Sequence, residues 1–141
     1  MITTTIEQSK KLVELGIDPS TADMYYAATE DENKKLHYTT PPRVRQTDNA
    51  VYKTDIPAWS LSALLELMPA TIQTKEGGPY SLMFFKRPPL GEQKVWYNVE
   101  YGVRCPTRWG WLNEWYEIKA GEDLTTACYD MVCWLLENKY I

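Results

Sequence analysis

The run DLTTACYDMVCWLLENK near the C-terminus constrains the fold more than any other stretch of the chain. At about 100° per residue, Leu124, Ala127, Cys128, Met131, Val132 and Leu135 form one broad apolar face, with Asp123 placed to cap it. The polar stripe that remains is narrow and holds mainly Thr126, Asp130 and Glu137. Tyr129, Trp134 and Leu136 lie outside the main apolar face. A helix apolar over most of its circumference needs cover on more than one side. A sheet supplies one cover, and either N-terminal helices or a second subunit supplies the other.

The sheet is legible upstream. Three strand-like runs, ATIQT (Ala70 to Thr74), YSLMFFKR (Tyr80 to Arg87) and KVWYNVEY (Lys94 to Tyr101), are separated by the turn signals Gly77-Gly78-Pro79 and Pro88-Pro89-Leu90-Gly91. In the third run Val95, Tyr97, Val99 and Tyr101 alternate with Trp96, Asn98 and Glu100, which implies one packed face and one partly wet face. A fourth strand is expected over Glu114 to Lys119. Before the first strand, Leu61, Leu64, Leu65 and Met68 share one helical face, and Pro69 stops that helix at about Met68.

Ile6, Leu12 and Val13 recur at helical spacing near the N-terminus, with Thr4 and Glu7 placed as a capping box. Gly16 suits a left-handed helix end, with Ile17 touching Leu12. Asp18-Pro19 opens a short second helix through Met24. Residues Thr29 to Asp55 then turn polar, with room for a small hairpin and with Val44 and Tyr52 as anchors. They carry turn residues but no converging chemistry, so the stretch reads as mobile rather than functional. For 141 residues, surface scaling gives about 7,500 Å² folded against roughly 24,000 Å² extended, enough for one domain with a real core. The expected fold is α+β. A four-stranded antiparallel meander (residues 56–141 with the C-terminal helix) has helices on one face, an N-terminal helix pair (1–26) alongside, and a polar connection (27–55).

Composition and motifs remove several function classes. The net charge of −4 gives no general attraction to phosphate backbones or anionic membranes. A double-stranded-RNA-binding domain shares the order helix, strands, helix. Where it needs lysines at the start of its last helix, this chain has Gly121-Glu122-Asp123. No stretch approaches about 20 apolar residues, and the N-terminus lacks a signal-peptide pattern, so the chain reads as cytoplasmic. Cys105, Cys128 and Cys133 form no disulfide framework, and Cys128 and Cys133 lie too far apart round the helix to share a metal. With one histidine and no Cys-x-x-Cys, neither a metal nor a cofactor is expected. His37 reads as a plain loop histidine. Cys105, beside Arg104 and Arg108, is the one thiol whose setting suits activation.

The stretch RWGWLNEWYEI (Arg108 to Ile118) holds three of six tryptophans. If it is extended, Trp109, Trp111 and Trp115 share one side, with Arg104 and Arg108 upstream and Lys119 downstream, and Tyr97 is a further candidate for the same contact surface. Such an aromatic and basic set stacks on sugars or bases, or anchors a protein interface. The competing reading buries rings against the C-terminal helix. It places Trp115 in the core and leaves Trp109 and Trp111 facing out.

KKLVELGIDPSTADMYY, DIPAWSLSALLELMP and AGEDLTTACYDMVCWLLENKYI together resemble a group of small hypothetical proteins from phage and prophage regions of gut anaerobes. The resemblance covers about half the chain, and it implies a mobile-element setting and a cytosolic α+β domain. It transfers no site. The functional expectation is therefore a non-enzymatic accessory protein acting through protein contact, by self-association or on a phage or host protein. The alternatives are a small-ligand or carbohydrate binder using the aromatic loop, or an enzyme using Cys105.

Overall fold

A computed structural model describes residues 2–45, 54–89, 91 and 94–141. Helix α1 spans Ile6–Glu14. Its capping box uses Thr5 and Gln8, one residue later than the spacing suggests: Thr5 Oγ1 accepts from the Gln8 amide at 3.2 Å, and Gln8 Oε1 from the Thr5 amide at 2.9 Å. Thr4 is already committed, because its buried hydroxyl bonds Ser9 Oγ and accepts from the Trp59 amide. The helix ends as a Schellman motif. Gly16, at φ +100°, donates to Val13 O, and Ile17 donates to Leu12 O.

The expected second helix is a single 3-10 turn, Pro19–Thr21, capped by Asp18. Beyond it Met24–Tyr26 forms strand β1 rather than helix. Its residues find backbone partners far along the chain, which outweighs the weak helical signal of six residues. The polar connection is substantially structured. Ala28–Glu30 (β2) and Leu36–Tyr38 (β3) form a hairpin, Arg43–Val44 (β4) and Ile56–Ala58 (β5) flank β1, and the order is β4-β1-β5. Val44 pairs with Met24 through its backbone, but its side chain is exposed and anchors nothing. Tyr52 lies outside the described residues.

Helix α2, Leu61–Leu67, is capped by Ser60, whose hydroxyl and amide both bond the Asp23 carboxylate. It buries Ala63 and Leu64, while Leu65 turns outward. The main sheet runs β6 (Thr71–Ile72), β7 (Tyr80–Arg87), β8 (Trp96–Thr107) and β9 (Gly110–Gly121), in that spatial order and all antiparallel. Strands β8 and β9 are much longer than the alternation suggests. Beyond Gly102, where β7 ends, they continue as a two-stranded ribbon.

Helix α3, Leu124–Glu137, buries Thr125, Ala127, Cys128, Met131, Val132 and Leu135. Asp123 caps it, accepting from the Thr126 amide and hydroxyl. One cover for α3 is the sheet, through Val99 and Tyr101 of β8. The other is α2, together with Leu12, Ile17, Ala22 and Trp59 from earlier in the chain. Thus α2 packs chiefly on α3. No helix among the described residues is long and apolar enough to cross a membrane.

Candidate functional site

The residues singled out from the sequence are spread along the β8–β9 ladder instead of converging. Arg108 and Trp109 form the two-residue turn at the ribbon tip, where Gly110 adopts φ +128°. Trp109 is 90 % exposed, and the Arg108 guanidinium lies 5.6 Å from its ring centroid. Arg104 sits within the ribbon, opposite Asn113. Trp111 is in β9 opposite Pro106, and its side chain lies outside the described residues. Tyr97 is at the far end of the ladder, opposite Lys86 and Gly121, with Lys86 Nζ 5.9 Å from its ring. Ten residues of strand, roughly 33 Å, separate Tyr97 from Thr107 at the tip. The register therefore sets Tyr97 well apart from Arg108 and Trp109 at the tip.

Trp115 is not a core residue. The β8–β9 register slips between Tyr101 and Gly102, so that Tyr101 faces Glu117 and Gly102 faces Trp115, leaving Tyr116 as the extra residue. Tyr116 takes the inward place, stacked on Tyr80 at 4.9 Å and edge-on to Trp134 at 6.0 Å. Hydrogen bonding with Tyr140, and then with Glu76, pushes its hydroxyl up to about 12. Trp115 instead emerges beside Gly102 on the other face, 58 % exposed.

That other face points away from α3. Side chains directly opposite one another share a face, so it carries Trp96, Asn98, Glu100 and Gly102 of β8, Met83, Phe85 and Arg87 of β7, and Trp115 and Ile118 of β9. None of the three helices packs on it among the described residues. Trp96, Phe85, Met83, Ile118 and Trp115 form an apolar stripe about six residues, or roughly 20 Å, long. With exposures of 42 % for Trp96, 37 % for Phe85 and 58 % for Trp115, the three rings leave about 300 Å² open. Patches of that size on a monomer are often functional.

A polar cluster lies beneath the stripe. Asn98, its amide turned so that Oδ1 faces the guanidinium, accepts from Arg87 Nε at 3.0 Å and Nη2 at 3.1 Å. Burial pushes the Glu100 carboxyl above its usual range, and Arg87 only partly opposes this. The folded state therefore holds the Glu100 proton more tightly than the unfolded chain does. The resulting stability is present below the ordinary carboxyl pKa and is lost as pH rises through the folded value. Glu100→Gln removes this titration. Its stability is expected to gain on that of the wild type as pH rises above the ordinary carboxyl value, measured by urea unfolding; a difference independent of pH would contradict the assignment.

The remaining candidate groups are scattered. Cys105 pairs with Leu112 in the ribbon. His37 is in the β2–β3 hairpin of a separate sheet, with Nε2 bonded to Asp31 at 2.9 Å. Burial pushes the Cys128 thiol up to about 12 and also raises Cys133, so neither is an activated nucleophile.

An open depression of about 320 Å³, which the sequence does not announce, is lined by residues of α1, β9 and α3. The narrow polar stripe of α3 forms one wall, through Asp130 and Glu137 with Trp134 between them. Spacings of four and three residues are visible in the sequence, but the facing Lys11 and Lys119 come from separate elements that only the fold brings together. Comparison with protein families, curated proteins and solved structures gives no match for this chain.

Proposed function

We propose that this chain is a non-enzymatic accessory protein that works through protein–protein contact, docking its partner on the helix-free face of β7, β8 and β9. The observation that carries the proposal is the stripe of Trp96, Phe85 and Trp115 left open on that face. Rigid aromatic rings give large contact area at small entropic cost and dominate interface energetics. About 300 Å² of ring surface is less than the roughly 800 Å² per side of a standard interface. The partner therefore also engages the ribbon, where Trp109 and Arg108 stand clear of the body. The resemblance of both ends and the middle to phage and prophage proteins supports a mobile-element setting. Three free cysteines suit the cytoplasm.

The test is a binary one. A protein enriched on the chain from its native host is purified and titrated against wild type and Trp115→Ala. Loss of this ring is expected to cost about 2 kcal/mol or more, roughly 30-fold in Kd, with the melting temperature within a few degrees of wild type. Equal affinity for the two chains, or no purified protein that binds, would refute the proposal.

A further inference from the structure

The helix-free face of β8 carries a charge pattern that is complementary to itself. Side chains alternate along a strand, and the extra residue at the slip belongs to β9. Trp96, Asn98, Glu100, Gly102, Arg104 and Pro106 of β8 therefore share that face. Gly102 has no side chain, with Glu100 two residues before it and Arg104 two residues after. Glu100 is 3 % exposed, and its carboxylate accepts no hydrogen bond and joins no ion pair among the described residues. The nearby Arg87 spends Nε and Nη2 on Asn98. A buried carboxylate of this kind gains from a charged donor brought to it. Arg104 is exposed, but four residues of strand, about 13 Å, hold it apart from the Glu100 of its own chain. The ribbon needs cover as well. No third strand accompanies it beyond Gly102 among the described residues, and a two-stranded hairpin alone is marginal in water.

We infer that the partner on this face is a second copy of the chain, packed face to face about a two-fold axis that crosses the strands at Gly102. That one operation lays the ribbon of each copy over the stripe of the other. The lengths agree. From Gly102 the stripe runs back six residues to Trp96, roughly 20 Å, and the ribbon runs on five residues to Thr107, roughly 17 Å. Arg104 of each copy comes over Glu100 of the other, giving two equivalent charge pairs, as an isologous contact requires. Trp115, opposite Gly102, falls on the axis against its own counterpart, and Trp96 falls opposite the ribbon tip of the other copy. Gly102 leaves room for the two backbones to cross. The rings alone do not reach the roughly 800 Å² per side of a standard interface. Here each copy contributes stripe and ribbon together, a strip roughly 37 Å long. A foreign partner must bring its own cation to Glu100, whereas a second copy already holds one at the matching spacing.

Sedimentation equilibrium of the whole chain at tens of micromolar is expected to give twice the chain mass. Glu100→Gln and Arg104→Gln should each weaken the dimer about 30-fold or more, since either one removes both charge pairs. The two together should be at most about threefold weaker than the weaker single variant, because they break the same contact. The two side chains do not meet within one chain, so such coupling arises only between copies. Arg43→Gln, at an exposed position of β4 in the other sheet, makes the same charge change and should leave the dimer unaltered. Near-UV circular dichroism checks that the variants remain folded. A monomer overturns the inference, as does a dimer that Arg104→Gln leaves intact, an equal loss from Arg43→Gln, or losses that simply add in the double variant. The self-contact rests on the docking face proposed above. A monomer overturns the self-contact alone, since that face can still take a foreign partner, which the titration with Trp115→Ala decides.

Discussion

Trp59→Ala is expected to remove about 3–5 kcal/mol of folding free energy, a large part of the roughly 5–15 kcal/mol typical of a domain. Among the described residues Trp59 is the largest fully buried side chain, at 0 % exposure. It stands between β5 and the cap of α2, where three parts of the chain close on it. Its amide donates to Thr4 Oγ1 at 3.0 Å, its carbonyl accepts from the Thr4 amide at 2.9 Å, and its indole Nε1 donates to Thr21 Oγ1 at 2.9 Å. The ring belongs to the cluster that joins Leu12, Ile17 and Ala22 to Leu64 and α3. Its neighbours are fixed by α1, by the 3-10 turn and by the bond from the Ser60 amide to Asp23 at 2.9 Å, so the void can collapse only partly. Trp109→Ala, at the exposed ribbon tip, is the matched control and should stay within about 0.5 kcal/mol of wild type. Urea unfolding measures both. Equal costs for the two substitutions would mean that Trp59 is not the ring the core closes around.

The contrast between these two tryptophans shows where the sequence is readable. The buried face of α3 follows from periodicity alone, because fourteen residues repeat one geometric rule. The ends of β7 coincide with the run Tyr80 to Arg87, since prolines and glycines mark both sides of it. The Gly16 helix end is equally local. Trp59 obeys no such rule: it is one ring in IPAWSL, and its burial depends on Thr4 and Thr21, which lie 55 and 38 residues away. Strands β1, β4 and β5 are hidden for the same reason. Each is only two or three residues long, too short for alternation to register, and is defined by pairing across the chain. The aromatic set was visible as residues but not as a site. One extra residue in a strand reverses which side chains face inward, and no feature of WLNEWYEI marks Tyr116 as that residue.

The second large effect lies at this slip. Gly102→Ala is expected to destabilise the chain toward the upper end of the roughly 1–3 kcal/mol typical of overpacking. A Cβ on Gly102 would lie 2.5 Å from the Glu114 carbonyl oxygen, 3.0 Å from Trp115 Cα and 3.1 Å from the Met83 terminal methyl. Met83 can swing aside, but the first two contacts are backbone of the paired strand. β9 must therefore move away just where Trp115 leaves it. Gly121→Ala separates this effect from loss of glycine in general. Gly121 also lies in β9, yet a Cβ there meets nothing closer than Asp123 N at 4.0 Å, so its cost should be small. Urea unfolding of the pair tests the packing, and the emission of Trp115 against a Trp115→Phe reference tests the displacement. If Gly102→Ala were as stable as Gly121→Ala, the close approach of β8 and β9 at the slip would be wrong. The outward setting of Trp115, and with it the contact face, would lose its structural basis, because that side chain reaches the open face only through the register that begins at Gly102.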